Sequence, residues 1–564
     1  MSKVDINKHE IDIGILKKQN VNDLTAIKEL YRRIEEIGEK ITQIKYIDSK
    51  LAYKLKKEYE KLKKIILDEN IQAKLANDIK TINEKLNNDI ETINEKLNND
   101  IETINEKINN DIETINSHLD NNVNETVIAR NRQFNTIRRS NLCKTFNKYN
   151  YPLDFNFNNN DIPIDVLTDG YNYLTSFDVS NYKNNSSKTV YLSTTKGNNS
   201  NDGLTENTPV GTLYKALKIS SVGDTIYIID DENTTYDRTS WQATGEIDKS
   251  VNIIAKNKII VFKGNNPSWL KTAGYNNVYE VSNKFVIEVV NLNDTPLKYK
   301  KVDSIDEVDI TPLGWYTDGV KVYVNCKDVT NNKLLLPIME TGYPCLINKN
   351  TSDMKIYLEN IDFVGGDENV KILGDSTYYL HELYAKKCRF LFATKFSSVR
   401  IWDCKLGYFQ DCECGYSSQD GFSYSAPFSR CSPDFIEVNC KGYCNGDNSK
   451  NSPDTHNGST AHVNCRGIRV NSIYNDNVGG NLVESGTSKT VNLGCVAYDS
   501  KSVTSNSSQG FGLQTSTGEM WVENCISFGN KNDMFCADGS TIHIRKSQYD
   551  TKLGGGSWDC DERL

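Results

Sequence analysis

The sequence predicts a mainly-β chain: a parallel β-helix carried behind an α-helical, trimeric coiled-coil stalk. Three observations predict it. An 11-residue repeat runs through residues 77–120. Similar β-rich phrases ending in cysteine recur from about residue 354. Between them, Val190–Leu217 reads as strand, polar turn and helix.

A chain of 564 residues has room for two or more domains. Its mean hydropathy of -0.57 and the lack of any run of about 18 apolar residues argue against a membrane-spanning helix. The opening residues, MSKVDINKHEIDIG, lack the apolar core of a secretory signal. An extracellular role therefore implies another route out, such as release within an assembled particle. The net charge of -9 and the absence of a dense basic stripe argue against nucleic acid as a ligand. The 30 tyrosines suit sugar-stacking surfaces and β-sheet faces equally.

Residues 1–70 form the first expected domain, a helical attachment region. Leu24, Ile27, Tyr31, Ile34, Ile37, Ile41 and Ile44 recur at threes and fours, as one helix face requires. Residues 71–139 are the expected stalk. Ile79, Ile82, Leu86, Ile90, Ile93 and Leu97 open a three-four-four spacing that continues to Leu119. That spacing gives about 3.67 residues per turn and a straight to slightly right-handed supercoil. Isoleucine at most core positions favours three or more strands, hence a parallel homotrimer. Residues 140–187, rich in Asn and Tyr, are expected to be a neck of short strands and loops.

Residues 188–550 are the expected β-helix. The segment around Gly197, Asn201, Asp202 and Gly203 supplies a turn, and a helix carrying Leu213, Ala216 and Leu217 should begin near Thr208-Pro209. GWYTDGVKVYVN reads as a hairpin inserted in the early coils. Later phrases recur every 16 to 36 residues with no long helix between them, which fits a β-helix better than a propeller, a leucine-rich solenoid or a sandwich. Cys388, Cys404, Cys440, Cys465, Cys495 and Cys525 close such phrases. They lack zinc spacing and read as reduced, small inward-facing apolar residues, with a disulfide ladder as the alternative that the missing secretion signal disfavours. Residues 551–564 are left as a C-terminal tail.

The chemistry-bearing residues crowd between Asp411 and Asp499. Turns displaced by one coil lie about 5 Å apart, so Asp420, Asp454, His456, Asp476 and Glu484 could share one patch. Cleaving a phosphodiester calls for an activated water, a proton donor and charge neutralisation. Asp420 or Asp454 would then be base or metal ligand, and His456 or His462 the acid. Glycosidic cleavage would instead use two carboxylates. Each residue also has a structural reading: Asp420, Asp454 and Asn457 as turn formers, the histidines as loop residues, Glu484 as a solvated charge.

Val190–Leu217, with Asn-Asp-Gly, Thr-Pro and Lys-Ala-Leu in order, resembles the opening of right-handed, pectate-lyase-like β-helices, where a short helix caps the first coil. DGFSYS, HNGSTAH, NDNVGGNLVE, VNLGCVAYDS and EMWVENCISFGN are similar to phrases of tail-spike and pre-neck appendage proteins of phages that infect Gram-positive bacteria. The resemblance implies a virion protein, attached to the tail, baseplate or neck through its N-terminal region, that binds host cell-wall polymer. It implies hydrolysis of teichoic acid or a related glycopolymer, or, as the alternative, non-catalytic binding on the same fold. The crowding of Asp and His, together with the family-like DGF and NGSTAH phrases, makes Asp420, Asp454, His456, His462 and Glu484 the candidate catalytic residues and Tyr424, Asn457, Asp476 and Asn481 the candidate substrate contacts. A divalent cation, Ca2+ or Mg2+, is a possible cofactor. Relatives carry His where this chain has Ser425.

Overall fold

The computed structural model describes residues 146–559, except 160, 242–245, 293–295, 327–333, 340–341, 348–351, 374–379, 429, 447–455, 503–506 and 515–516, together with the helical residues 56–57 and 60–61. The expected attachment region and hendecad stalk otherwise lie outside the described residues, as does Asp454.

Parallel pairing is the dominant feature from Thr189 onward. Leu406 pairs with Asp434, then Arg466, Lys489, Glu519 and Thr541 in turn, each step advancing the chain by 22 to 32 residues. Three strand columns arise in this way, which makes the domain a parallel β-helix. One column is a nine-stranded sheet: β1 (Cys345–Ile347), β2 (Val370–Leu373), β3 (Val399–Trp402), β4 (Phe422–Ser425), β5 (Ser459–Ala461), β6 (Leu482–Glu484), β7 (Gln509–Leu513), β8 (Asn532–Cys536) and β9 (Lys552–Leu553).

The corner between the other two columns explains the cysteine phrases. Lys387, Asp411, Asn439, Asn471 and Asn524 all have φ between 50° and 54°, and Gly494 has φ 64°. Asn, Asp and Gly tolerate this left-handed conformation best. The residue after each corner points inward and must be small: Cys388, Cys412, Cys440, Ser472, Cys495 and Cys525 are all fully buried. Every described cysteine is free, and burial pushes the Cys412, Cys440 and Cys525 thiols well above their usual range. Isoleucines, valines and aromatics fill the remaining interior, including the stacked pair Phe363 and Phe390.

The opening segment folds as strand Thr189–Leu192 and helix α1 (Leu213–Ile219). Leu213, Ala216 and Leu217 bury against Val190 and Leu192 and close the first coil. The helix starts at Thr212, whose side chain accepts from the Lys215 N–H, and not at Thr208-Pro209, which stays in the turn. The expected hairpin is present: Gly314–Thr317 pairs antiparallel with Lys321–Asn325. It belongs to an antiparallel insertion between early coils that also contains Val278–Ser282 and Val286–Asn291.

Two boundaries differ from expectation. Pairing continues past residue 550, with Thr541 opposite Ser557, so the last coil reaches Asp559. More consequentially, residues 146–187 carry the expected short strands, Asn147–Lys148, Val166–Thr168 and Tyr173–Thr175, but pack on the β-helix. Phe155, Phe157, Ile164, Val166, Tyr173, Phe177 and Val179 are buried against Tyr357, Tyr384, Tyr408, Ile436, Ile468, Val491 and Trp521, which line the outside of a neighbouring strand column. The segment is a strap over an apolar face that would otherwise meet water. The Asn158 and Asn159 N–H groups each donate to the Asp434 carboxylate at 2.8 Å and tie it down. Among the described residues no helix is long and apolar enough to cross a membrane.

Candidate functional site

Alternation along β2 to β6 sorts the expected site residues into interior and surface. Side chains pointing inward are Val370, Val399, Phe422, Tyr424, Leu482 and Glu484, all buried. Those pointing outward form two rows running from coil to coil. Lys371, Arg400, Ser423 and Thr460 are paired in register, and Trp402 pairs with Ser425 one row further along, with His462 and Ser485 next.

Three expected residues are therefore corrected to structural roles. The Tyr424 hydroxyl donates to Glu437 at 3.0 Å, and its ring stacks on Phe435 inside the solenoid. Glu484 is fully buried and paired with the Arg469 guanidinium at 2.6 Å, while accepting the Ala461 N–H at 2.7 Å. Asn481 is also fully buried, donating to the Tyr498 carbonyl and accepting from Asn477. None of the three can touch a polymer. Arg469 bridges Glu484 and Glu437, so Arg469→Met strands two buried carboxylates. It should cost about 3–5 kcal/mol in denaturant titration, and adding Glu437→Gln and Glu484→Gln should recover most of that loss.

Asp420 sits in the turn two residues before β4. One carboxyl oxygen accepts the Asn457 N–H at 2.9 Å, and the Asn457 side chain in turn accepts the Gly480 N–H at 3.0 Å. Asn457 is thus a rung in a ladder of turns. The Ser397 and Ser423 hydroxyls also bond the Asp420 carboxyl, yet burial outweighs these bonds and the nearby Arg400, and raises its pKa to about 7. On the adjoining coil, Arg400 donates to Glu368 at 2.7 Å and lies 3.4 Å over the Trp402 ring. The Arg400 Nε and the second Glu368 oxygen are buried without hydrogen-bond partners. Burial pushes Glu368 up while Arg400 opposes it. Lys371, beside Arg400 in register, donates to the Tyr343 hydroxyl at 2.8 Å.

His462 stands apart from Asp420. Ser459 lies opposite Phe422, so the two side chains are offset by five residues along the strands, roughly 16 Å. They cannot serve one bond as an acid–base pair. His462 faces Ser485 and Thr460 instead, in an open cleft of about 530 Å³ that Trp402, Ser425, Val463, Gly486 and Thr487 also line. His456 is half-buried, and its carbonyl accepts the Gly479 N–H. Asp476 occupies a left-handed corner with φ 56° and pairs with Lys501 at 2.7 Å. Among the described residues no group of three His, Cys, Asp or Glu side chains converges as a metal site.

The sequence reading missed Glu368, Lys371, Arg400 and Trp402. All lie before the polar stretch that drew attention. The phrase SVRIWDC does show a cation and an aromatic at alternate positions of one strand, which is the signal that could have found two of them.

No family model and no curated protein matches the chain. Among solved structures, it is similar to XylC in complex with xylose (TM-score 0.38, 11% identity, 65% of this chain and 66% of that one). It is similar also to pectate lyase Pel9A (0.32, 12%, 68% and 80%). A third is ORF18 of Geobacillus virus E2 (0.26, 9%, 70% and 66%). The chain spans 66% of the length of the first of these. Scores and identities this low carry no argument, and the fold stands on the strand pairing above.

Proposed function

We propose that this chain is a trimeric, virion-borne tail-spike or appendage protein. It binds a host cell-wall glycopolymer, teichoic acid or a related polymer, along the outer face of β2 to β5 and hydrolyses it at the host surface. The observation that carries the reading is Asp420, a carboxyl with a pKa near 7 close to the Arg400 cation of the adjoining coil. A protonated carboxyl at that pH can donate to a leaving alcohol. Arg400, and Lys371 beside it in register, can each meet an anionic group of the polymer. Trp402, one face backed by Arg400, offers an edge for a sugar or polyol. The phrases resembling phage tail proteins support the biological setting.

The test is incubation of the full-length protein with purified wall teichoic acid, with chain length followed by gel electrophoresis. Progressive shortening with release of soluble fragments is expected. Retention of the polymer at unchanged length would leave a binding protein and sink the hydrolytic reading.

A further inference from the structure

The row containing Trp402 holds a serine–histidine pair that cleavage at Asp420 does not use. The His462 Nδ1 lies 2.7 Å from the Ser485 Oγ, and its Nε2 lies 3.4 Å from the Thr460 Oγ1. Burial lowers the pKa of the ring, leaving it neutral at pH 7. With Nε2–H toward Thr460, Nδ1 is free to accept the serine proton. The spacing is held from behind. The Ser485 N–H donates to the Ala461 carbonyl at 2.8 Å, and the buried Glu484 takes the Ala461 N–H. Both members of the pair line the open cleft of about 530 Å³. Ser425, only 7% exposed, lines the same cleft, and its hydroxyl has no hydrogen-bond partner among the described residues. A hydroxyl that reaches the cleft and has no partner in the protein can donate to a ligand bound there.

We propose that this cleft is a second active site, a serine esterase that removes small O-acyl groups from a sugar or polyol polymer. The Ser485 Oγ attacks the ester carbonyl carbon as its proton passes to the His462 Nδ1, and the Ser425 hydroxyl donates to the oxyanion. The C–O bond to the polymer breaks, and its oxygen takes the proton back from His462. Water, deprotonated by His462, then cleaves the acyl-serine to a carboxylic acid and free Ser485. Trp402 forms the wall against which the sugar or polyol lies.

The full-length protein is treated with a fluorophosphonate, and separately with O-acetylated xylan while released acetate is measured. An adduct on Ser485 is expected by peptide mass spectrometry. It should be absent in Ser485→Ala and formed at least about 10²-fold more slowly in His462→Ala. Acetate release should follow the same order, with Ser425→Ala slowed by about 10²-fold. Melting midpoints equal to wild type show that the variants fold, and if His462→Ala does not, Ser485→Ala decides alone. A wild-type protein without an adduct on Ser485, or a Ser485→Ala variant that releases acetate at the wild-type rate, overturns the proposal. The fluorophosphonate reaction needs no polymer and should persist in Asp420→Asn, so its outcome is separate from that of the teichoic acid assay.

Discussion

Asp420→Asn should reduce polymer cleavage by about 10²–10⁴-fold, the usual contribution of a positioned proton donor. The amide keeps an acceptor for the Asn457 N–H, so the turn ladder survives. In the wild type, cleavage should fall as pH rises through about 7, because ionisation removes the proton to be donated. The residual activity of the variant should lack that alkaline fall. Stability carries a matching signature. The folded pKa is raised from 3.8 to about 7, so the folded state favours the protonated form. Wild-type stability should therefore decline between pH 3.8 and 7 and level off above, a loss on the order of 2–4 kcal/mol at most. Asp420→Asn should show a shallower decline and be at least as stable as wild type at pH 8, measured by denaturant titration. Wild-type cleavage rates in the variant would remove Asp420 from the chemistry. A pH-independent difference in stability would remove the raised pKa.

Deleting residues 141–187 while keeping the chain from 188 onward should abolish soluble expression of the β-helix. The deletion uncovers Tyr357, Tyr384, Tyr408, Ile436, Ile468, Val491 and Trp521 on one face. It also takes away two N–H donors from the buried Asp434. At roughly 1.5–3 kcal/mol for each fully buried apolar side chain, the strap's aromatic and aliphatic residues contribute about as much as the whole net stability of a typical domain, about 5–15 kcal/mol. A milder version, Phe155→Asp with Phe157→Asp, should lower the melting midpoint and increase binding of a hydrophobic dye. A soluble deletion variant that melts at the wild-type temperature would show that the strap adds nothing to stability.

Much of this protein was legible from residue types alone. The cysteine phrases announced an interior of stacked coils, because a position just inside a left-handed corner admits only a small side chain, and Asn, Asp or Gly before it marks the corner. Leu213, Ala216 and Leu217 announced the capping helix through their spacing. The inserted hairpin followed from Asp-Gly between two β-runs. These are local rules, decided within a few residues of chain.

The site required the tertiary structure. Coils vary from 22 to 32 residues, so no count along the chain tells which residue of one coil stands beside which of the next. Arg400 becomes a neighbour of Lys371 and of Asp420 only through the stacking of coils. Parity is decided there too. Side chains alternate across a strand, so a one-residue difference exchanges interior for surface. Glu484 and Tyr424, which looked like site residues, went inside to pair with Arg469 and Glu437, and their neighbours Ser485 and Ser425 face the cleft. Burial of the strap is equally invisible in sequence. Its partners are spread from Tyr357 to Trp521, and only the stacking of coils assembles them into one apolar face.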